Sequence, residues 1–346
     1  MKRRDFLGAM GALSAGALIR PAASQQISDN WAEIEKNAAL EGEATMYHTF
    51  SPTAMPDIIA EFNKTYPKIR VSELRLPSQQ FYQRFASEYK AGKLDADVCV
   101  NAMDDAIRTW DSSGWLAKWS PPETSGIPEN LRFGNSMWTV QLVRQAMAYN
   151  SQLVSAADAP KDWPDLLDPK WKGKVGLNPP WRAIGPLEAV NFMEKKFSMP
   201  DLAERFKAMD VRFFEGAPGV VQAIIRGDIL VAQLADLLLN PIIEDGAPVS
   251  AVYPKSGVAY TTIVAFVPNP AKRPNAGRVL TNWLMSKTGQ IALQEYSGSA
   301  GSRVDIPGPS RLPASKDLTL VDGDAMTSAD DRRRISANWQ RVFNTN

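Results

Sequence analysis

The residues that could do chemistry in this sequence are those suited to holding a small molecule. His48 is the only histidine. It ends the run Ala44-Thr45-Met46-Tyr47-His48 and is followed by Thr49, Phe50 and Ser51. Its ring either faces a cleft as donor or ligand, or is satisfied by neighbouring backbone. Trp181-Arg182 is the most suggestive pair. A guanidinium beside the N–H groups of a helix start suits a carboxylate or phosphonate, and an indole can stack on an apolar or cationic ligand. Ser51 and Ser78 stand at helix starts, where they face the cleft, cap the helix, or do both. Asn101 and Asp104 follow an apolar strand, and Asp104 could equally cap the next helix. Glu215 opens a helix, where a carboxylate is also ordinary charge placement. Asp236 could face a cationic or hydroxyl group. Tyr253, with Tyr260, flanks a chain crossover and either packs a hinge or touches the ligand.

These groups do not add up to a catalytic set. The sequence has no Gly-rich phosphate loop and no Gly-x-Ser-x-Gly elbow. A serine paired with the lone histidine has no acid partner that can be placed. One histidine and one cysteine exclude the usual zinc clusters. Cys99 sits in the apolar run Asp97-Val98-Cys99-Val100 and reads as a small core residue. No metal and no cofactor is expected. A binding module is the reading adopted, with an exported enzyme as the alternative.

The elements that must position these residues follow from hydrophobic period. Residues 44–49, a turn, a helix with Ile58, Ile59 and Phe62 on one stripe, and a strand at 69–74 make a βαβ unit. Thr53 is the expected helix cap, because it places Pro56 in the first turn, where a missing N–H costs nothing. Ligands of open α/β sheets bind beyond the carboxyl ends of strands, which is where His48 to Ser51 and Asn101 to Asp104 fall. A helix is expected from Ile27 to Leu40 and another opening at 178–182 and running to Phe197. A helix pair spans 275–296, broken near Gly289. Trp115, Trp163, Trp171 and Trp283 read as core. The pattern is α/β, with two lobes between which the chain crosses and returns. The first lobe holds residues 26–140 plus 256–310, the second 141–255, and residues 311–346 form a C-terminal extension packing on the lobes. The crossover strands make a hinge and the cleft lies between the lobes.

Composition agrees with a globular chain of two domains: 346 residues, 44% hydrophobic and 22% charged. Formal net charge is +1. Residues 1–24 carry Lys2, Arg3, Arg4 and Arg20 against Asp5, a net of +3, so the remainder is near −2. Nucleic acid is not an expected partner, because no basic run stands apart from acidic neighbours. The basic start, the short Gly/Ala-rich apolar core and Ala22-Ala23-Ser24 read as a signal peptide cut after Ser24. The core is too short to span a bilayer, which needs ~20 apolar residues. Arg3-Arg4-Asp5-Phe6-Leu7 resembles the twin-arginine export pattern, with the general secretion route as the alternative. The expected location is the periplasm.

Four segments carry a resemblance. They are Ala148-Tyr149-Asn150; Trp163-Pro164-Asp165-Leu166-Leu167-Asp168-Pro169-Lys170-Trp171-Lys172-Gly173-Lys174-Val175; Val220-Val221-Gln222-Ala223-Ile224-Ile225-Arg226-Gly227-Asp228-Ile229; and Trp283-Leu284-Met285-Ser286-Lys287-Thr288-Gly289-Gln290. In this order, behind an export signal, the chain resembles a periplasmic solute-binding protein of an ABC importer, in the family-1 extracellular class that contains the ferric-ion-binding proteins. The resemblance implies a type II, Venus-flytrap fold, a monomer, and delivery of a small solute to an ABC permease in the inner membrane. Ferric members of the family take the metal on two adjacent tyrosines of the second lobe. The matching segment here, Val231-Ala232-Gln233-Leu234-Ala235-Asp236-Leu237-Leu238, has none. A hard Fe³⁺ ion wants phenolate and carboxylate oxygens, so an organic solute is preferred, an anion among the candidates. Iron on His48, Glu215 and Asp236 remains the alternative.

Overall fold

The computed structural model describes residues 30–51 and 53–344. The export signal and the start of the first helix at Ile27 therefore lie outside the described residues. The first helix, α1 (Trp31–Glu41), begins where the Asn30 carboxamide accepts the Ala32 N–H and ends at Gly42, whose φ of 70° suits a residue without Cβ. In chain order there follow β1 (Glu43–His48), α2 (Met55–Thr65), β2 (Arg70–Arg75), α3 (Ser78–Lys90), β3 (Val98–Ala102), α4 (Asp105–Ser112), β4 (Arg132–Phe133) and the long β5 (Met137–Asn150). The second stretch holds β6 (Val175–Leu177), α5 (Ile184–Lys196), α6 (Leu202–Ala208), β7 (Arg212–Phe213), α7 (Ala217–Arg226), β8 (Val231–Ala235), α8 (Asp236–Glu244) and β9 (Val249–Val252). The chain then returns through β10 (Val258–Phe266), α9 (Pro274–Met285), α10 (Lys287–Ser297), β11 (Ala300–Gly301), β12 (Leu320–Asp322), α11 (Gly323–Met326) and α12 (Ala329–Phe343).

One strand joins two half-sheets. The first half runs β2-β1-β3-β10-β5, and the second continues from β5 through β8 and β6 to β7. The early part of β5 pairs antiparallel with β10, Phe266 opposite Met137 and Tyr260 opposite Arg144. Its later part pairs antiparallel with β8 on one edge and β9 on the other. Parallel pairs β1–β2, β1–β3 and β6–β8 carry the βαβ crossovers. Each half buries its own faces. Ile34, Met46, Ile58, Phe62, Val100 and Leu284 pack on one face of the first half, and Phe81, Phe85, Cys99, Trp110 and Phe266 on the other. Each such side chain contributes roughly 1.5–3 kcal/mol when buried. In the second half Trp163, Phe192, Phe206 and Val231 form a core that also contains Ile335 and Trp339 of α12. Helix α12 is thus a component of that core, held by a capping box between Ser328 and Asp331.

Three local expectations are corrected. Helix α2 starts at Met55 behind Ala54, with Pro56 in the first turn, but Thr53 does not cap it; its hydroxyl pairs with that of Ser51 at 2.8 Å. The helix expected to open near Trp181 begins at Ile184. Residues 178–182 form a turn instead, in which Arg182 N–H donates to the Pro179 carbonyl. The α9–α10 break falls at Ser286, whose hydroxyl caps the Gly289 N–H. Gly289 lies inside α10, where a Cβ would come within 1.9 Å of the Trp283 carbonyl oxygen.

Candidate functional site

A cavity of about 470 Å³ lies where the two half-sheets meet. Its walls come from both halves and from the strands between them. Pro77, Ser78, Ala102 and Ile263 belong to the first half, Arg182 to Pro186 and Ala235 to the second, and Val143, Gln145 and Thr261 to the crossing strands. The period of a strand explains the alternate pairs Val143 and Gln145 on β5 and Thr261 and Ile263 on β10. On β5 Val143 and Gln145 face the cavity, so Arg144 between them faces the opposite side.

Three helices start on this cavity. The N-cap residues of α3, α5 and α8 are Pro77, Ala183 and Ala235, all three cavity-lining. None of the three makes a side-chain cap bond. Apolar caps leave the first-turn N–H groups without the side-chain acceptor that Ser, Asp or Asn would supply. The positive ends of three helix dipoles thus converge on one space, with the exposed Arg182 guanidinium beside it.

The polar groups of the wall are held from behind. Ser78 Oγ donates to Asn101 Oδ1 at 2.9 Å, and that oxygen also accepts the Ala102 N–H. Asn101 itself is buried, and its Nδ2 has no partner. Gln145 accepts a bond from the Gln233 amide. Gly185 is needed here, since a Cβ would meet Gln145 Nε2 at 2.3 Å. Thr261 Oγ1 donates to Glu188 Oε2 at 2.6 Å. Glu188 lies one turn into α5 and is fully buried. Burial pushes its carboxyl up to about 8, helped by the nearby Asp324 and Asp322 and opposed by the Thr261 hydroxyl and Arg332.

Of the residues singled out in the sequence, Ser78 and Arg182 line the cavity, and Asn101 backs it. The others lie elsewhere. His48 is fully buried and its ring is saturated. The Phe50 N–H donates to Nδ1 at 3.1 Å, so Nε2 carries the proton and donates to Glu73 at 2.5 Å. Burial holds the ring below its usual value, with Glu73 pulling the other way. This corrects the reading of His48 as a cleft donor. Thr49 is half-buried at the end of β1 and Ser51 is exposed beside Thr53; neither lines the cavity. Asp104 accepts the Ala106 N–H at 2.8 Å and is the cap of α4. Trp181 packs edge-on against Phe213, centroids 4.9 Å apart, on the second core, which takes its indole away from any ligand in the cavity. Glu215 is exposed in the turn before α7.

Asp236 and Tyr253 are corrected as a pair. Arg144 and Asp236 are fully buried, with Nε 2.5 Å from Oδ2. The Tyr253 hydroxyl donates to the same carboxylate at 3.3 Å, and the Arg144 guanidinium lies 5.2 Å from the Tyr253 ring centroid. Arg144 Nη1 also donates to the Pro313 carbonyl at 2.8 Å. Asp236 therefore neutralises an arginine behind the crossing strand, on the face away from the cavity. What sequence reading missed is Gln145, Thr261, Gly185 and the three apolar caps. The signals were the odd positions of β5 and the Gly185-Pro186 dipeptide in the first turn of α5.

Comparison with known proteins places this geometry in context. A family described as bacterial extracellular solute-binding protein matches residues 96–328. A putative 2-aminoethylphosphonate-binding periplasmic protein of Salmonella typhi is 26% identical over 223 residues, which are 61% of this chain and 64% of that protein. The chain thus spans just under two thirds of the length of the curated relatives it matches. Iron-bound HitA from Pseudomonas aeruginosa superposes with a TM-score of 0.73 at 19% identity, over 86% of this chain and 99% of HitA. The periplasmic binding protein AfuA from Actinobacillus pleuropneumoniae, with fructose-6-phosphate bound, gives 0.71 at 18%, over 88% and 100%. Likeness at these identities establishes the fold, that of type II periplasmic binding proteins.

Proposed function

Because the chain belongs to the bacterial extracellular solute-binding protein family, we propose that it captures a small organic anion in the cavity between its half-sheets and delivers it to an ABC permease. The observation that carries this reading is the meeting of three helix starts with apolar caps and one arginine on a single cavity. A phosphonate, phosphate ester or carboxylate would take the free N–H groups of both halves at once. Bridging them would favour the closed arrangement of the lobes. The 2-aminoethylphosphonate after which the Salmonella relative is named has the same anionic head. Among the described residues the lining holds no tyrosine, carboxylate or histidine, the donors that ferric ion wants. An anion is therefore preferred to iron. The pattern of residues 1–24 supports export to the periplasm by the twin-arginine route, and none of the described helices is long and apolar enough to cross a membrane. The protein is proposed to act as a monomer, without chemistry on its solute.

A thermal-shift screen tests this reading. The panel holds alkylphosphonates, sugar phosphates, carboxylates, polyamines and ferric citrate. A ligand at a hundred times its dissociation constant stabilises by ~2.7 kcal/mol. A response to one anion class, lost in Arg182→Ala, is expected. A response confined to polyamines or ferric citrate would refute the anion reading.

A further inference from the structure

The charges around the cavity are one-sided. Arg182 is the single charged side chain among its described lining residues, and no carboxylate joins it. Beside Ser78, Gln145 and Thr261 the uncharged lining is aliphatic, with Ile184 and Pro186 of the first turn of α5 and Val143 and Ile263 of the two central strands on its walls. The carboxyl that stands behind this wall, Glu188, is fully buried and screened from the cavity by Thr261, whose hydroxyl it receives at 2.6 Å. With its pKa raised to about 8, it is neutral at pH 7 and offers no counter-charge. Asp104, Glu215 and Asp236, the acidic residues that the sequence places near the mouth, are engaged at α4, exposed before α7, and neutralised by Arg144 respectively.

We infer that the solute is an anion with an uncharged, apolar body, and that the cavity discriminates against a ligand carrying an ammonium group. A zwitterion would place its anionic head on the helix starts and leave its cation desolvated against aliphatic side chains, which is costly for an unpaired charge. An alkyl chain of the same length fills the same space and gains from burial. The inference rests on the proposed function. It separates this chain from a receptor for an aminoalkylphosphonate, the ligand after which the Salmonella relative is named.

The test compares isosteres on the wild-type protein by titration calorimetry. Propylphosphonate and 2-aminoethylphosphonate differ by a methyl in place of the ammonium. Butanoate and β-alanine make the same comparison with a carboxylate head, so the preferred head is read separately from the preferred body. The alkyl member of the preferred pair is expected to bind at least tenfold more tightly than its amine, and both should weaken in Arg182→Ala. If the amine binds equally or more tightly while the Arg182 effect remains, the anion site stands and the inference is overturned. If neither pair binds and the anion screen is silent, the reading of the cavity itself fails and the inference falls with it.

Discussion

Replacing Glu188 by glutamine should make the protein more stable at alkaline pH than the wild type. The side chain is buried on α5, bonded to Thr261, with the Arg332 guanidinium 3.8 Å away. Burial lifts the carboxyl from an ordinary 4.5 to about 8. The native chain therefore keeps a proton that the unfolded chain has released across that interval. Stability from this group is fully present below pH 4.5 and is lost as pH rises through 8. The loss is about 1.4 kcal/mol for each pH unit, so a gap of 8 − 4.5 = 3.5 units gives an upper figure of about 5 kcal/mol. Glutamine has the same shape, does not titrate, and can donate its amide to Thr261. Urea unfolding of both proteins, followed by tryptophan fluorescence at pH 5, 7 and 8.5, reads the difference. The two should lie within about 1 kcal/mol at pH 5, with the variant ahead by about 3–5 kcal/mol at pH 8.5. Burial also raises Asp97, Glu194, Asp236 and Asp322, but these titrate in both proteins and cancel. A difference that does not change with pH, or a wild type that gains on the variant toward pH 8.5, would refute the reasoning.

Arg182→Ala removes an exposed side chain, so urea stability should move by under about 0.5 kcal/mol while anion affinity, read by calorimetry, falls tenfold or more. Asp236→Ala leaves Arg144 buried without its carboxylate and should cost about 3–5 kcal/mol in urea unfolding, most of it recovered in Arg144→Met/Asp236→Leu; an additive double variant would show that the pair is not coupled. Burial depresses the His48 pKa, so its contribution to stability is present above pH 6.5 and lost as pH falls. Nitrogen-15 spectra at pH 7.5 should show a neutral ring protonated at Nε2, and a ring protonated at Nδ1 would contradict the assigned bonds. Burial raises the Cys99 thiol well above its usual value, so a thiol reagent should label it only in denaturant.

The frame was legible because it depends on period and punctuation. The stripe Ile58–Phe62 is a local signal, and it sits where the structure uses it. The site was far less legible, for a physical reason. Polar side chains draw attention in a sequence, yet here several of them neutralise one another. His48 answers Glu73 and Asp236 answers Arg144, and both pairings join residues distant in sequence. The groups that do face the cavity are backbone N–H groups, which every sequence carries and which matter only when apolar residues such as Pro77, Ala183 and Ala235 leave them uncapped. Gln145 and Thr261 needed the register of β5 against β10, where Val143 lies opposite Thr261. That register is a long-range pairing no local pattern states.

The second core draws on residues far apart in the order of synthesis. Met147 on the crossing strand and Trp339 on α12 share one cluster, and 339 − 147 = 192 residues separate them. At roughly 5–20 residues per second, a ribosome needs roughly 10–40 s to go from one to the other. In the later part of that interval, once residue 231 has been added, the nascent chain carries Phe192, Phe206 and Val231 without the helix that seals them. Closure of the second half, and so of the cavity it shares, must wait until that helix emerges. Until then the growing chain displays a hydrophobic face to which a chaperone could bind.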